Sequence, residues 1–177
     1  MVLVYENLRY ILSVSLSRKL FRIGNSVDFG KKAFAGLANS DPAIRTLTFT
    51  SFGGKAGWLF LDHLIWANKV RILDVDASSL SKWSARLWLL GCLSAFLLSL
   101  YRLLAAVEEL RRISGDKSTC KRRVSTLRME MLRDLCDCFI PLTLLNKVGP
   151  GIGWTAGVVS SIVALKMEWR KIVLGQV

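Results

Sequence analysis

Apolar residues recur along this chain at steps of three and four and nowhere alternate over the length of a strand, which predicts an all-α protein. From about Asn7 to Leu37, Leu16, Leu20, Ile23, Val27, Gly30, Phe34 and Leu37 fall on one stripe. Arg18, Arg22, Asn25 and Lys32 fall on another, and Lys19 and Lys31 flank the apolar one. The pattern predicts a basic amphipathic helix over 7–37. Gly24, Gly30 and Gly36 each weaken it by up to roughly 1 kcal/mol, so it needs a membrane or a partner to stay helical. Asn39-Ser40-Asp41-Pro42 ends it.

The stretch 52–73 reads as a nearly all-apolar helix interrupted by Lys55, Asp62 and Lys69, which are seven apart and share a face. Such a row suits a helix packed in a bundle, or half embedded, with one wet or ion-paired edge. A long helix follows over 79–114, with Asp76, Ser78, Ser79 and Ser81 as candidate N-caps and Gly115 just past its end. Within it Leu87 to Tyr101 is free of charge, bounded by Arg86 and Arg102, with Trp83, Trp88 and Tyr101 as aromatic ends. This is a candidate membrane span, short by the length rule.

Over 119–146 the apolar stripe is Val124, Leu127, Met131, Leu135, Cys138, Leu142 and Leu145. Arg128, Glu130, Arg133, Asp134 and Asp137 take the other faces of this amphipathic helix. Near charge balance favours packing on protein, and Pro141 is expected to kink it or end its first part. The last length, 148–166, contains the longer uncharged run, Val148 to Leu165, and is the stronger expected transmembrane helix. Gly149, Gly153, Gly157 and Ser161 are spaced by four on it, a stripe of small residues on which a second helix could close in. The alternative reading is a buried core helix.

Composition narrows the class. Of 177 residues, 52% are apolar, yet the formal charge is +12. A single domain over 1–177 is expected. Positive charges between long apolar stretches suit an anionic phospholipid membrane, and nucleic acid is not an expected partner because no basic module of the known kinds is present. Cys92, Cys120, Cys136 and Cys138 make no zinc spacing, so no metal site is expected and the thiols read as free. His63 beside Asp62 has no nucleophile motif with it. Gly151-Ile152-Gly153-Trp154-Thr155-Ala156 matches a nucleotide fingerprint in form only, without a preceding strand. No catalytic residues and no cofactor are expected, and the chain does not read as an enzyme.

Four segments carry a family resemblance: SLSRKLFRIGNSVDF (Ser15 to Phe29), FLDHLIWANKV (Phe60 to Val70), WSARLWLLG (Trp83 to Gly91) and GPGIGWTAGVVSSIVAL (Gly149 to Leu165). In this order they resemble the peroxin-11 family of peroxisomal membrane proteins. The resemblance implies an integral protein of the peroxisomal membrane, with cytosolic termini, that elongates the organelle before fission and so promotes peroxisome proliferation. It implies an amphipathic helix inserted in one leaflet, which here maps to Leu16, Leu20, Ile23 and Val27 with Arg18, Lys19, Arg22 and Lys31. It also implies homo-oligomers and action with a dynamin-related GTPase and its adaptors. An oligomeric solute pore lined by Lys55, Asp62 and Lys69 is the alternative. Family members carry a longer start with a Gly-Arg-Asp-Lys-like motif, whereas this chain begins nearer Leu8-Arg9-Tyr10, which implies a shortened N-terminus. Two topology rules also disagree. The basic segment from Arg111 to Arg123 belongs on the cytosolic side by charge, whereas two spans with cytosolic termini would send it to the other side.

Overall fold

A computed structural model describes residues 22–112 and 117–173, and the described residues form five helices and no strand. They are α1 (Ile23–Gly36), α2 (Pro42–Lys69), α3 (Ala77–Arg112), α4 (Ser118–Leu144) and α5 (Pro150–Val173). The all-α expectation holds. The part of the expected first helix before residue 22 lies outside the described residues.

Local chemistry explains where the helices start and stop. Asp41 caps α2, accepting from the backbone N–H of Ala43 at 2.8 Å and of Ile44 at 3.3 Å, and Pro42 takes the first helical position. Sequence pattern placed this start ten residues later, at 52, because Thr46, Thr48, Thr50 and Ser51 blur the apolar stripe. Asp76 starts α3 in the same way, accepting from Ser78 at 3.0 Å and Ser79 at 3.2 Å. Two helices close on left-handed residues that are not glycine, Arg71 (φ 60°) and Asn146 (φ 55°). In each, the next residue donates five positions back, Ile72 to Ala67 and Lys147 to Leu142, both at 2.9 Å. Pro141 does not end α4, which runs on to Leu144 before this closure.

Each helix packs on its neighbours in sequence, so the five form a row rather than a closed bundle. Helices α2 to α5 lie antiparallel. Tyr101 Oη reaches Asp41 Oδ2 at 2.8 Å at one end of the α2–α3 pair, and Ser84 reaches the Trp58 carbonyl at 3.4 Å toward the other. Helix α1 is different. Its contacts run from Gly36 on Thr48 to Phe29 on Phe52, advancing seven residues on α1 for four on α2, so it crosses α2 obliquely.

The tightest contact is between α2 and α3. A Cβ added to Gly54 would lie 2.7 Å from the Leu87 carbonyl oxygen and 2.8 Å from Gly91 Cα, and one on Gly91 would lie 3.0 Å from the Ser51 carbonyl oxygen. Backbone meets backbone here. Trp58 and Trp88 stack beside the crossing with centroids 4.2 Å apart. Between α3 and α4, Leu103, Ala106, Val124 and Leu127 form the main apolar cluster.

The buried stripe of α4 departs from the expected one. Cys120, Val124, Leu127, Asp134, Cys138 and Pro141 are buried, and Leu135 is exposed. Asp134, expected on another face, enters the seam because partners wait there: Ser99 Oγ donates to its Oδ2 at 2.5 Å and Arg133 Nη2 to its Oδ1 at 2.9 Å.

Gly53 and Gly54 are adjacent on α2, yet a Cβ on Gly53 would have nothing within 4 Å. Gly53→Ala should therefore stabilise the chain by roughly 0.5–1 kcal/mol through helix propensity. Gly54→Ala should destabilise it by about 1–3 kcal/mol or more through overpacking against rigid backbone. Thermal denaturation of both variants in detergent checks this, and shifts of the same sign would contradict the close crossing.

Candidate membrane interface

A row of helices leaves two broad faces open, and here they are apolar. On α3 the exposed large residues include Leu90, Leu93, Leu97, Tyr101 and Leu104, again at steps of three and four. On α5 they include Trp154, Val158, Ile162, Leu165, Trp169 and Ile172, each at least 59% exposed. Six such side chains left in water forgo on the order of 10 kcal/mol of burial, comparable to the whole stability of an ordinary domain. Helix α3 has 36 residues and an 18-residue stretch of mean hydropathy 1.9, and it is the one helix among the described residues long and apolar enough to cross a membrane. This reverses the expected order of the two candidate spans. Helix α5 starts at Pro150, two residues into its uncharged run, and Trp154, Thr155, Ser160 and Ser161 dilute its apolar content.

Of the expected membrane-binding residues, Leu16, Arg18, Lys19 and Leu20 lie outside the described residues. Arg22 immediately precedes α1, Ile23 is its first residue, and Val27 and Lys31 are exposed on it. The seam of α1 on α2 uses Ala33, Gly36 and Phe29, the last stacked on Phe52 at 6.1 Å. The apolar stripe read from sequence divides: Val27 stays outside, 58% exposed, with Lys31 and Lys32 exposed nearby, whereas Phe34, itself 69% exposed, sets its ring edge-on to Phe49 of α2 at 6.1 Å. Lys32 pairs with Asp28 at 2.7 Å.

The four small residues expected to associate helices separate. A Cβ on Gly153 would strike Thr143 of α4, 2.8 Å from its Cβ, and one on Gly157 would touch Ile140 at 3.6 Å. Gly149 precedes the helix and is open, and Ser161 is exposed with its hydroxyl on the Gly157 carbonyl at 2.8 Å. Gly153 and Gly157 thus serve contacts within the chain. The close crossing at Gly54 and Gly91 was missed. Its signal was present in Ser51, Gly54 and Trp58 at steps of three and four, matched by Ser84, Gly91 and Ala95 on α3.

Charges gather in the α3–α4–α5 seam. Besides the Ser99–Asp134–Arg133 group, Asp137 accepts from Ser160 of α5, and Lys55 of α2 lies within its electrostatic reach. Arg133 and Asp134 form an ion pair in this seam, and Lys55 is a second cation near its two carboxylates. Lys55 belongs to this cluster, whereas Lys69, expected on the same row, is exposed. No group of three metal-ligating side chains occurs among the described residues.

Comparison with known proteins bears on this arrangement. The family model for peroxisomal biogenesis factor 11 (PEX11) matches residues 5–169. The chain is 24% identical to peroxisomal membrane protein 11B of Homo sapiens over 202 residues, covering 86% of this chain and 76% of that protein. The Bos taurus protein of the same name is 24% identical over 201 residues, with the same coverage. Peroxisomal biogenesis factor 11 of Schizosaccharomyces pombe is 26% identical over 175 residues, covering 89% of this chain and 74% of that protein. No solved structure matches.

The oblique α1–α2 unit is tied to α3 by Asp41, whose carboxyl is held below the usual range chiefly by the Tyr101 hydroxyl and then by the Ile44 N–H. A depressed carboxylate contributes its stability above its unfolded pKa of about 3.9 and loses it as pH falls through the folded value. Tyr101→Phe should therefore lower the melting temperature at pH 6, and the gap to the parent should narrow at pH 3. A gap independent of pH would show that the bond does not depend on the carboxylate charge.

Proposed function

Because the chain belongs to the peroxisomal biogenesis factor 11 family, we propose that it remodels and elongates the peroxisomal membrane, promoting fission and proliferation, with α1 as the wedge. Family membership itself carries a role in peroxisome biogenesis at the peroxisomal membrane, and the family is not one of enzymes. The observation that supports the mechanism is the outward face of α1, where Val27 and Lys31 are exposed on a helix anchored to α2 through Phe29, Ala33, Gly36 and the edge of Phe34. Apolar side chains entering one leaflet expand it against the other. Each cation near an anionic surface adds about 1 kcal/mol.

In this reading α3 crosses the bilayer, and α2, α4 and α5, which are not apolar enough to cross alone, cross only as they pack beside it with charges turned into the seam. At about 1.5 Å per residue each is long enough to reach across roughly 30 Å. Four antiparallel crossings put Pro42, the α3–α4 connection and Val173 at one end of the row. The basic residues Arg111, Arg112, Lys117, Lys121, Arg122 and Arg123 are at that end too. Cytosolic termini and the positive-inside rule then agree, and the conflict that arises with two spans disappears. In the seam Asp134 is paired with Arg133 and Asp137 accepts from Ser160, with Lys55 nearby, which is the partnered, helix-facing arrangement that buried charge requires in a membrane. Homo-oligomers and the dynamin-related fission machinery complete the proposal by family resemblance. A pore has less support, since a row in which helices touch their sequence neighbours encloses no lumen within one chain.

Val27→Glu with Lys31→Glu in the full chain should abolish tubulation of anionic vesicles and peroxisome elongation in cells, with the protein still in the membrane. Undiminished tubulation would remove α1 as the wedge. Tags at residue 1, residue 118 and residue 177 should all be digested by protease added to intact organelles; protection of the central tag alone would contradict the four-crossing arrangement.

A further inference from the structure

Beyond the α1 face, the basic end of the row contains a cleft that no step above uses. It lies between α4 and α5 and has a volume of about 450 Å³, with Arg122, Arg170 and Lys171 around it and Ser125, Thr126 and Glu130 in its wall. The cations differ in what already holds them. Lys171 pairs with Glu168 at 2.6 Å. Arg170 Nη1 touches two neutral atoms, Ser125 Oγ at 3.4 Å and Met129 Sδ at 3.3 Å, and neither Arg170 nor Arg122 has an ion pair among the described residues. Two guanidinium groups thus face one cleft without a carboxylate joined to either.

The depth of the cleft identifies what can reach it. Ser99 and Asp134 are level across the α3–α4 seam, and Ser125 lies nine residues before Asp134, so the cleft sits roughly 10 Å beyond Tyr101 at the helical rise. Tyr101 and Arg102 close the uncharged stretch of α3, where a membrane surface would fall. The cleft is therefore at headgroup level. Its lower wall is apolar, with Met129 and Met167, and Trp169 stands 64% exposed at its rim. Cations above and apolar surface below match a lipid phosphate with its glycerol and first methylenes.

Glu130 narrows the class further. A carboxylate beside the phosphate would repel a second negative group but accept hydrogen bonds from hydroxyls, as would Ser125 and Thr126. We infer that this cleft binds the headgroup of an anionic phospholipid that carries hydroxyls, such as phosphatidylinositol, with Arg122 and Arg170 on its phosphate. The inference rests on the membrane placement of α3, and the two fail differently: release of the chain from organelle membranes by alkaline carbonate would refute the placement, whereas the binding assay is independent of it.

The test is native mass spectrometry of the full chain in neutral detergent, titrated with dioctanoyl phosphatidylinositol. Arg122→Gln with Arg170→Gln should weaken binding at least tenfold. Arg111→Gln with Arg112→Gln, which removes equal charge from the α3 tail outside the cleft, should change it less than twofold. Ser125→Trp, at an exposed position, fills the cleft and leaves every charge in place; it should also cost tenfold. Equal losses from the two arginine pairs, or undiminished binding by Ser125→Trp, would mean a diffuse basic surface and overturn the site. Inositol phosphate without acyl chains should bind at least tenfold more weakly than the lipid. Equal binding would make this a soluble phosphate site and overturn the lipid assignment, as would a preference for phosphatidylserine.

Discussion

Two helices approach only as closely as the side chains between them allow, and at Gly54 and Gly91 there are none. That contact brings α2 and α3 together backbone to backbone, which in turn lets Trp58 lie flat on Trp88 and brings Asp41 to Tyr101. The rest of the row hangs on this pair. Helix α1 reaches the molecule only through α2 in its principal contacts, and α4 and α5 are added on the far side of α3. Within a membrane the same contact matters more, because lipid tails solvate Leu as well as protein does and close packing becomes a main source of helix association.

A row rather than a bundle has a cost and a use. In water its two faces would leave Leu, Trp and Val side chains exposed along most of α3 and α5. A bilayer removes that cost and also decides which groups must be turned inward. Charged side chains in hydrocarbon need partners, and α4 turns Asp134 toward Ser99 and Arg133, and Asp137 toward Ser160. The polar seam and the apolar faces are two results of the same choice of solvent. The oblique α1 is the exception, docked on α2 through Phe29, Ala33, Gly36 and the edge of Phe34 with Val27 and Lys31 left outside.

The sequence by itself determined the helical class, the cap at Asp76, the break at Asp41-Pro42 and the family resemblance, because each depends on residues near one another in the chain. It misjudged the start of α2, since threonines obscure periodicity but a capped Asp-Pro overrides them. It also ranked the Val148–Leu165 run above α3, since freedom from charge was weighed more heavily than sustained apolar content. Only the tertiary structure decided which glycines meet backbone, that Gly153 faces Thr143 rather than lying free, and that Asp134 is a seam residue. It also decided that the ends of four helices converge on one basic end with a cleft in it. Periodicity assigns a residue to a face of its helix, but which faces meet depends on neighbours distant in sequence, and no local pattern contains them.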